Sequence, residues 1–230
     1  MTITVAAVAA IACLGLVVTA AGALHAELAR KPTASELSRA AATAVARRWQ
    51  AWPAGKIFPA ILQYSTTLQV LEHARRVGID PATGCAARVD PAIASVLRRY
   101  GCRAVLRASY LDQREGVVFT IGVVAIPGDR SAAAGRSQLH ASRRSGVRAY
   151  AIPQTASALF SDRARQAATV AVGGPYVVLT TSGFSDGRPA AATGERRPTV
   201  FAPASQLGNL VLSQLDAPAI PRCGARGWAC

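Results

Sequence analysis

The sequence has little lysine, histidine or acidic residue, and each shortage excludes a class of chemistry. Of its 26 basic residues only Lys31 and Lys56 are lysines, and 12 acidic residues leave a net charge of +14. The three histidines, His25, His73 and His140, are too few for a histidine-rich metal cluster. The P-loop, the Gly-x-Gly-x-x-Gly turn and the His-Glu-x-x-His zinc motif are all absent from the sequence. We therefore expect neither a metal nor a cofactor.

The basic charge is almost entirely arginine, which has two explanations. Arginine in place of lysine, together with abundant alanine, is typical of a GC-rich genome. A functional explanation is a basic surface that attracts anionic lipid, wall polymer or nucleic acid. The arginine pairs are scattered and have no aromatic residues interleaved with them, unlike a nucleic-acid surface: Arg75-Arg76, Arg98-Arg99, Arg143-Arg144 and Arg196-Arg197.

Residues 3–24 contain no charged side chain and predict a membrane anchor. At about 1.5 Å per residue, a helix of this length spans about 33 Å, enough for a bilayer core about 30 Å thick. No lysine or arginine precedes the segment, unlike the start of a signal peptide. Candidate cleavage sites that end in alanine can be drawn at residues 21–23 and 24–26, so cleavage stays open. We predict an uncleaved transmembrane helix within residues 1–26 that contacts the bilayer through residues 3–24.

The orientation of the anchor is predicted differently by charge and by cysteine content. Basic residues follow the anchor at Arg30, Lys31 and Arg39, and the positive-inside rule would then place the body in the cytoplasm. Four cysteines beyond the anchor instead indicate an exported, oxidising environment. Long domains are translocated with less regard to charge. We therefore expect a single-pass protein of the cell membrane with an extracytoplasmic body.

The four cysteines beyond the anchor predict two disulfides, for which three connectivities exist. Sequential pairing joins Cys85 to Cys102 around a predicted helix, and Cys223 to Cys230 in a small terminal loop. The rival use is a zinc site. Zinc ligands usually come as close pairs with two to four residues between them, whereas these pairs have sixteen and six, and no histidine lies near them.

The body alternates predicted hairpins with helices. Thr33 and Glu36 form a capping box that starts a juxtamembrane helix. Residues 56–70 predict a strand, residues 71–79 a helical turn or two, and residues 90–100 a helix with Asp90 as N-cap and Gly101 past its end. Residues 102–127 and 168–184 each predict a β-hairpin. Between these hairpins, residues 146–153 predict a strand and residues 157–166 a short helix.

A last helix carries Leu207, Leu210, Val211 and Leu215 on one side. The pattern predicts the α+β class: an antiparallel sheet of about five or six strands built from hairpins, with helices mainly on one face, preceded by one N-terminal transmembrane helix. The predicted organisation is an anchor at 1–26, a juxtamembrane helix and linker at 27–55, an extracytoplasmic domain at 56–216 and a disulfide-closed tail at 217–230.

One stretch matches a catalytic motif: residues 183–187 read Gly-Phe-Ser-Asp-Gly, the Gly-x-Ser-x-Gly pattern of serine hydrolases. In that fold the nucleophile stands between a strand and a helix, and the triad histidine follows it. Here all three histidines precede Ser185, and the residues after it predict a loop. A polar turn is the better interpretation, with Asp186 bonding its own backbone and Gly187 allowing positive φ. An exported serine hydrolase using Ser185 stays as an alternative.

Two segments, "GCRAVLRASYLDQREGVVFTIGVVAIP" and "GPYVVLTTSGFSDGRP", stand behind the single membrane helix. With that helix they resemble uncharacterised membrane-anchored proteins of high-GC Gram-positive bacteria. The resemblance covers most of the chain after Trp49. It implies a single-pass, extracytoplasmic α+β domain and names no substrate, partner or functional residue.

We expect a non-catalytic domain of the cell envelope that works by binding, as a sensor or as an accessory subunit. Its partner would be an envelope protein or an anionic polymer, and Asp186 and Arg188 are the candidate contact residues of an exposed loop. The alternative is a cytoplasm-facing basic domain that binds nucleic acid or anionic lipid.

Overall fold

The computed structural model describes residues 2–127, 138–139, 145–190 and 198–220, and within the first helix the side chains of residues 13–27. The chain divides into two compact units, residues 1–41 with 220–230, and residues 42–219. The helices are α1 (Thr2–Ala29), α2 (Ala34–Ala46), α3 (Arg48–Ala51), α4 (Ala54–Ile57), α5 (Pro91–Tyr100) and α6 (Pro203–Asp216). Short 3-10 turns lie at Ala86–Arg88, Asp162–Ala164 and Pro198–Phe201.

Residues 42–219 contain a six-stranded antiparallel sheet with the order β1-β2-β3-β4-β6-β5. The strands are β1 (Ile61–Ser65), β2 (Leu71–Ile79), β3 (Ala104–Asp112), β4 (Val117–Ala125), β5 (Arg165–Gly173) and β6 (Tyr176–Phe184). The predicted α+β class and the antiparallel sheet are confirmed. Every residue of β4 is buried, as expected for an apolar strand that is covered on both faces.

Both predicted hairpins are present, as β3–β4 and β5–β6, and the residues of their turns explain why the chain reverses there. Asp112 begins the β3–β4 turn, and its Oδ1 accepts a hydrogen bond from the Val117 backbone N–H at 2.7 Å. The β5–β6 turn passes through Gly174, whose φ is +45°. Glycine adopts this region without the steric cost that a side chain would bring.

The segment at residues 71–79 is a strand, so the helix predicted there is wrong. Its Leu, Glu, Ala and Arg content favours a helix in isolation. In the fold, β2 lies between β1 and β3 and pairs with both, with a register shift between Arg76 and Gly78. Tertiary pairing therefore overrides local propensity. The strand predicted at residues 56–70 is shorter, because α4 precedes β1 and a turn follows it.

Helices lie on both faces of the sheet rather than mainly on one. Leu207, Val211 and Leu215 of α6 are buried in one cluster with Leu106 and Val123 of the central strands, while Leu210 of the predicted stripe is partly exposed. The helix α5 is buried in a second cluster, through Ile93, Ala94 and Leu97. That cluster contains Val105 and Val124. Since successive strand residues point to opposite faces, α5 covers the face opposite to α6.

The rest of this second face is covered by irregular chain. The strand predicted at residues 146–153 is reduced to one bridge, between Val147 and Val89, and the helix predicted at 157–166 is a set of turns with one 3-10 turn. Such a layer cannot satisfy its own backbone, so the sheet beneath it supplies polar side chains. Arg107 donates to the Arg148 carbonyl at 3.0 Å, and Thr120 Oγ1 accepts from the Tyr150 N–H at 3.2 Å.

A buried ion pair anchors this irregular layer. The Arg165 guanidinium at the start of β5 donates to both oxygens of Asp90, at 2.5 and 3.1 Å. Asp90 Oδ2 also accepts from the Gly146 N–H at 2.9 Å. Asp90 occupies the predicted N-cap position of α5, but its carboxylate makes no cap bond to that helix. Three chain segments therefore meet at one carboxylate.

The structure describes one of the two predicted disulfides. The Cys85–Cys102 disulfide is confirmed. Cys223 and Cys230 lie outside the described residues, as does most of the tail predicted at 217–230.

The capping box of α2 is confirmed, because Thr33 Oγ1 accepts from the Glu36 N–H and Glu36 Oε2 from the Thr33 N–H. Among the residues that the structure describes, no helix has the length and apolar character needed to cross a membrane.

We predict that Arg165→Leu lowers the free energy of unfolding by about 3–5 kcal/mol, because it leaves the buried Asp90 carboxylate without its cation. Arg75→Leu is the matched control. Arg75 pairs with Glu115 at 2.6 Å, but both side chains are half exposed, and such pairs contribute about 0–1 kcal/mol. Chemical denaturation of both variants measures the difference. Equal losses would show that the Asp90–Arg165 pair does not hold the irregular layer.

Candidate functional site

A cavity of about 660 Å³ opens at one end of the sheet. Here β1, β3 and β6 end and β2 and β4 begin, so the walls are the β1–β2 and β3–β4 turns, the chain after β6 and the start of α6. Cavities of this size are typical of ligand sites. Loops supply most of the lining, while the sheet forms its base.

A polar row crosses three strands at the base of the cavity. Tyr64 of β1 lies opposite Glu72 of β2, and Asp112 of β3 lies opposite Ala74. Glu72 and Ala74 are two residues apart, so their side chains share one face of the sheet. The register therefore places Tyr64 directly beside Glu72 and Asp112 diagonally from Glu72 on the same face, and all three line the cavity.

Tyr64 joins this row to the core. Its ring is buried against Phe119, with ring centroids 6.3 Å apart, and its hydroxyl donates to Glu72 Oε2 at 2.9 Å. Burial, and then the hydrogen bond to Glu72, raise the pKa of Tyr64 well above its ordinary value. Tyr64 therefore stays protonated at neutral pH and acts as a donor, while the two carboxylates act as acceptors.

The predicted contact loop lines the same cavity. The Asp186 carboxylate accepts from the Arg188 N–H and Nε, each at 3.0 Å, and pairs with the Arg188 guanidinium at 2.5 Å. Hydrogen bonds from Arg188 lower the pKa of Asp186, and the partnership raises the pKa of Arg188. The Arg188 guanidinium also lies 4.3 Å from the Phe184 ring centroid. In this loop the charges of Asp186 and Arg188 therefore neutralise each other, and the Arg188 guanidinium lies over the Phe184 ring.

Gly187 makes this loop geometry accessible. Its φ is +75°, and a Cβ at this position would lie 2.6 Å from the Leu159 carbonyl oxygen. Both the backbone conformation and the close approach require glycine. The sequence prediction of a positive-φ glycine in this turn is confirmed.

Ser185 lies in a turn and not in a strand-to-helix elbow. Its backbone N–H donates to the Gly116 carbonyl at 3.0 Å, which joins the chain after β6 to the β3–β4 turn. Residues 185–190 form turns and irregular chain. His73 neighbours Glu72 on β2 and therefore points to the opposite face of the sheet, away from the cavity. His140, the other histidine that follows the anchor, is outside the described residues.

Apolar side chains form the outer wall. Leu68 and Val70, on the β1–β2 turn, are 83% and 54% exposed, and Val200 lies across from them in the 3-10 turn before α6. Thr66 fixes the β1–β2 turn, because its Oγ1 accepts from the Val70 N–H at 3.2 Å. The wall therefore presents apolar surface to solvent from a defined turn.

The helix α6 is fastened to the edge of β1 beside the cavity. Gln206 accepts from the Ser65 N–H at 3.0 Å and donates to the Ser65 carbonyl at 2.8 Å. This amide takes the place of a neighbouring strand at that position. It also fixes the start of α6 relative to the β1–β2 turn.

Comparison with known proteins gives no relative. No protein family matches the chain, and no curated protein or solved structure is detectably similar to it. The function is therefore argued from the cavity and the chemistry of its lining.

Much of the polar chemistry elsewhere is structural. Arg48, Arg107 and Arg165 are buried and bonded to carbonyls or carboxylates of the fold, so part of the basic charge is internal. Cys85 and Cys102 pack beside the second cluster and do not line the cavity. Across the described ranges, no group of three or more His, Cys, Asp or Glu side chains is arranged to hold a metal ion.

The sequence predicts Asp186 and Arg188 as contact residues of an exposed loop, but it does not indicate that Tyr64, Glu72 and Asp112 line the same cavity. Glu72 was missed because residues 71–79 read as a helix, which breaks the register that aligns the row. The missed signal was a polar residue at the end of each of three successive strands.

We predict that a fluorophosphonate probe does not label Ser185, because within the described residues no base is hydrogen-bonded to its hydroxyl and residues 185–190 are not helical. The purified full-length chain is incubated with the probe and analysed by intact mass, with Ser185→Ala as the matched control. Labelling of the wild type that disappears in Ser185→Ala would contradict this and restore the hydrolase alternative.

Proposed function

We propose that the chain is a non-catalytic binding module of the cell envelope, anchored in the membrane by residues 3–24. Its body faces the extracytoplasmic side, and the cavity at the end of the sheet binds a ligand or partner as part of a sensor or an accessory subunit. The observation that carries the proposal is the cavity itself, in which the predicted contact loop meets an exposed apolar turn and a polar row.

Binding rather than chemistry is supported by how the polar groups are used. Asp186 and Arg188 neutralise one another, and Tyr64 donates to Glu72. Ser185 contributes a backbone bond to the β3–β4 turn. A nucleophile needs a base within hydrogen-bond reach, and Ser185 has no such partner among the described residues.

The extracytoplasmic side is supported by the disulfide. Cys85 and Cys102 are joined across the segment that contains α5, and structural disulfides persist mainly in oxidising compartments. Residues 3–24 are uncharged over a length that suits a bilayer.

We predict that Cys85 and Cys102 are oxidised in living cells. In a variant that keeps only these two cysteines, a membrane-impermeant maleimide applied to intact cells should add two labels after external reduction and none before. Reduction should also lower the free energy of unfolding by about 3 kcal/mol, since it releases a loop of this size. Labelling without reduction, and only after lysis, would place the body in the cytoplasm and overturn this orientation.

We predict that a photoreactive residue at position 68 captures a partner in living cells. Leu68 stands at the outer wall of the cavity, whereas Leu210, on the exposed side of α6, lies outside it and is the control position. The adduct from position 68 should be saturable, should be lost when Val200→Trp fills the cavity, and should persist in Leu210→Trp. Adducts of equal yield from both positions, or no effect of Val200→Trp, would refute binding at the cavity.

A further inference from the structure

The charges that line the cavity oppose the charge of the whole protein. Among the residues that the structure describes, five charged side chains line it, namely Glu72, Asp112, Arg114, Asp186 and Arg188. Asp186 and Arg188 form their own pair, so their charges cancel locally. Two carboxylates and one guanidinium are left. In a chain of net charge +14, the described lining of the cavity therefore carries a local excess of negative charge.

The burial of the two carboxylates strengthens this excess of negative charge. Glu72 and Asp112 are half-buried at the base of the cavity, while Arg114 lies exposed on the β3–β4 turn. Solvent screens an exposed charge more than a half-buried one, so the two carboxylates dominate the electrostatics of the base. The Arg75–Glu115 pair beside the same turn is exposed and self-neutralised, and it adds no net charge.

The carboxylates have acceptor capacity to spare. Glu72 accepts one hydrogen bond, from the Tyr64 hydroxyl, and Asp112 one, from the Val117 N–H. Each carboxylate offers about four acceptor sites. Among the described residues, no hydrogen bond reaches Glu72 Oε1 or Asp112 Oδ2. Two carboxylates with open oxygens, at diagonal positions on one face and lining one cavity, are suited to a guanidinium or an ammonium group.

The apolar wall defines the rest of the ligand. Leu68, Val70 and Val200 stand between the polar row and solvent. A lysine or arginine side chain has an aliphatic stem that packs on such surface while its charged end reaches further. Residues beside it in an extended chain would contact Leu68 and Phe184.

We propose that the cavity binds an extended segment of a partner protein through a lysine or arginine side chain, whose charged group contacts Glu72 and Asp112 while neighbouring apolar residues pack on Leu68, Val70 and Val200. This inference rests on the proposed binding function and specifies the ligand. Of the two partner classes expected from the sequence, it selects an envelope protein over an anionic polymer.

The test uses the full chain in nanodiscs of zwitterionic lipid and three fluorescent peptides of leucine and valine around one central residue. That residue is arginine, its neutral isostere citrulline, or glutamate. By fluorescence anisotropy, the arginine peptide should bind at least about tenfold more tightly than the citrulline peptide, given the strength of hydrogen bonds between charged groups. The glutamate peptide should bind more weakly than either.

Variants then connect this preference to the cavity. Glu72→Gln keeps an acceptor for Tyr64 but removes the charge, and it should weaken the arginine peptide by about tenfold while leaving the citrulline peptide unchanged. Glu115→Gln is the matched control, an exposed carboxylate on the neighbouring turn outside the cavity, and should change neither affinity. Thermal unfolding of each variant confirms that the fold is retained.

The outcomes separate this inference from the binding function. Equal binding of the arginine and citrulline peptides, or no effect of Glu72→Gln, would overturn the cationic ligand. The photocapture from position 68 would still stand in that case. Tightest binding by the glutamate peptide would overturn the inference in favour of an anionic partner. Binding of no peptide would also overturn it, whereas failure of the binding function is read from photocapture: no adduct at position 68 of the wild type, equal adducts from positions 68 and 210, or no effect of Val200→Trp.

Discussion

The contact between Arg165 and Asp90 is the constraint on which the second face of this sheet depends. An apolar sheet has to be covered on both faces, and on the second face the helix α5 covers only a part. The remainder is chain without regular hydrogen bonding, whose peptide groups would be unsatisfied above an apolar surface. Asp90 resolves this by accepting from Gly146 while it is held by the buried guanidinium. Arg107 and Thr120 extend the same solution along the strands.

The second face of the sheet and the end with the cavity consequently differ in how they use their polar groups. On the face that carries the irregular layer, Asp90, Arg107 and Thr120 use their polar groups in bonds that keep the layer in place. At the cavity, the carboxylates of Glu72 and Asp112 are only partly used, and the turns around them present leucine and valine to water. Rigid strands beneath and adaptable turns above are the usual arrangement of a recognition site. The two hydrogen bonds between Gln206 and Ser65 hold the start of α6 against the edge of β1 beside the opening.

The sequence was informative where local chemistry and tertiary structure agree. The apolar run of β4, the turn glycines and the limits of α5 follow from short-range rules, and they are found as predicted. The strand at residues 71–79 could not be predicted, because its charged residues favour a helix and only pairing with two neighbours makes it extended. For the same reason the polar row of Tyr64, Glu72 and Asp112 could not be predicted, since residues on different strands are aligned only by a known register. Asp90 illustrates a subtler gap: its position was predicted, but its partner lies 75 residues away.

The separation of the cavity wall from the core has a consequence for how this protein can change over time. Leu68 and Val70 contribute little to the packing of the sheet, because more than half of each is in water, and Val200 is partly exposed. Substitutions there leave the fold nearly intact while altering what the cavity accepts. Mutations in the irregular layer would instead disturb several buried bonds together. Related chains would therefore be expected to diversify in their partners by drifting at the turns, with Asp90 and Arg165 retained as a pair.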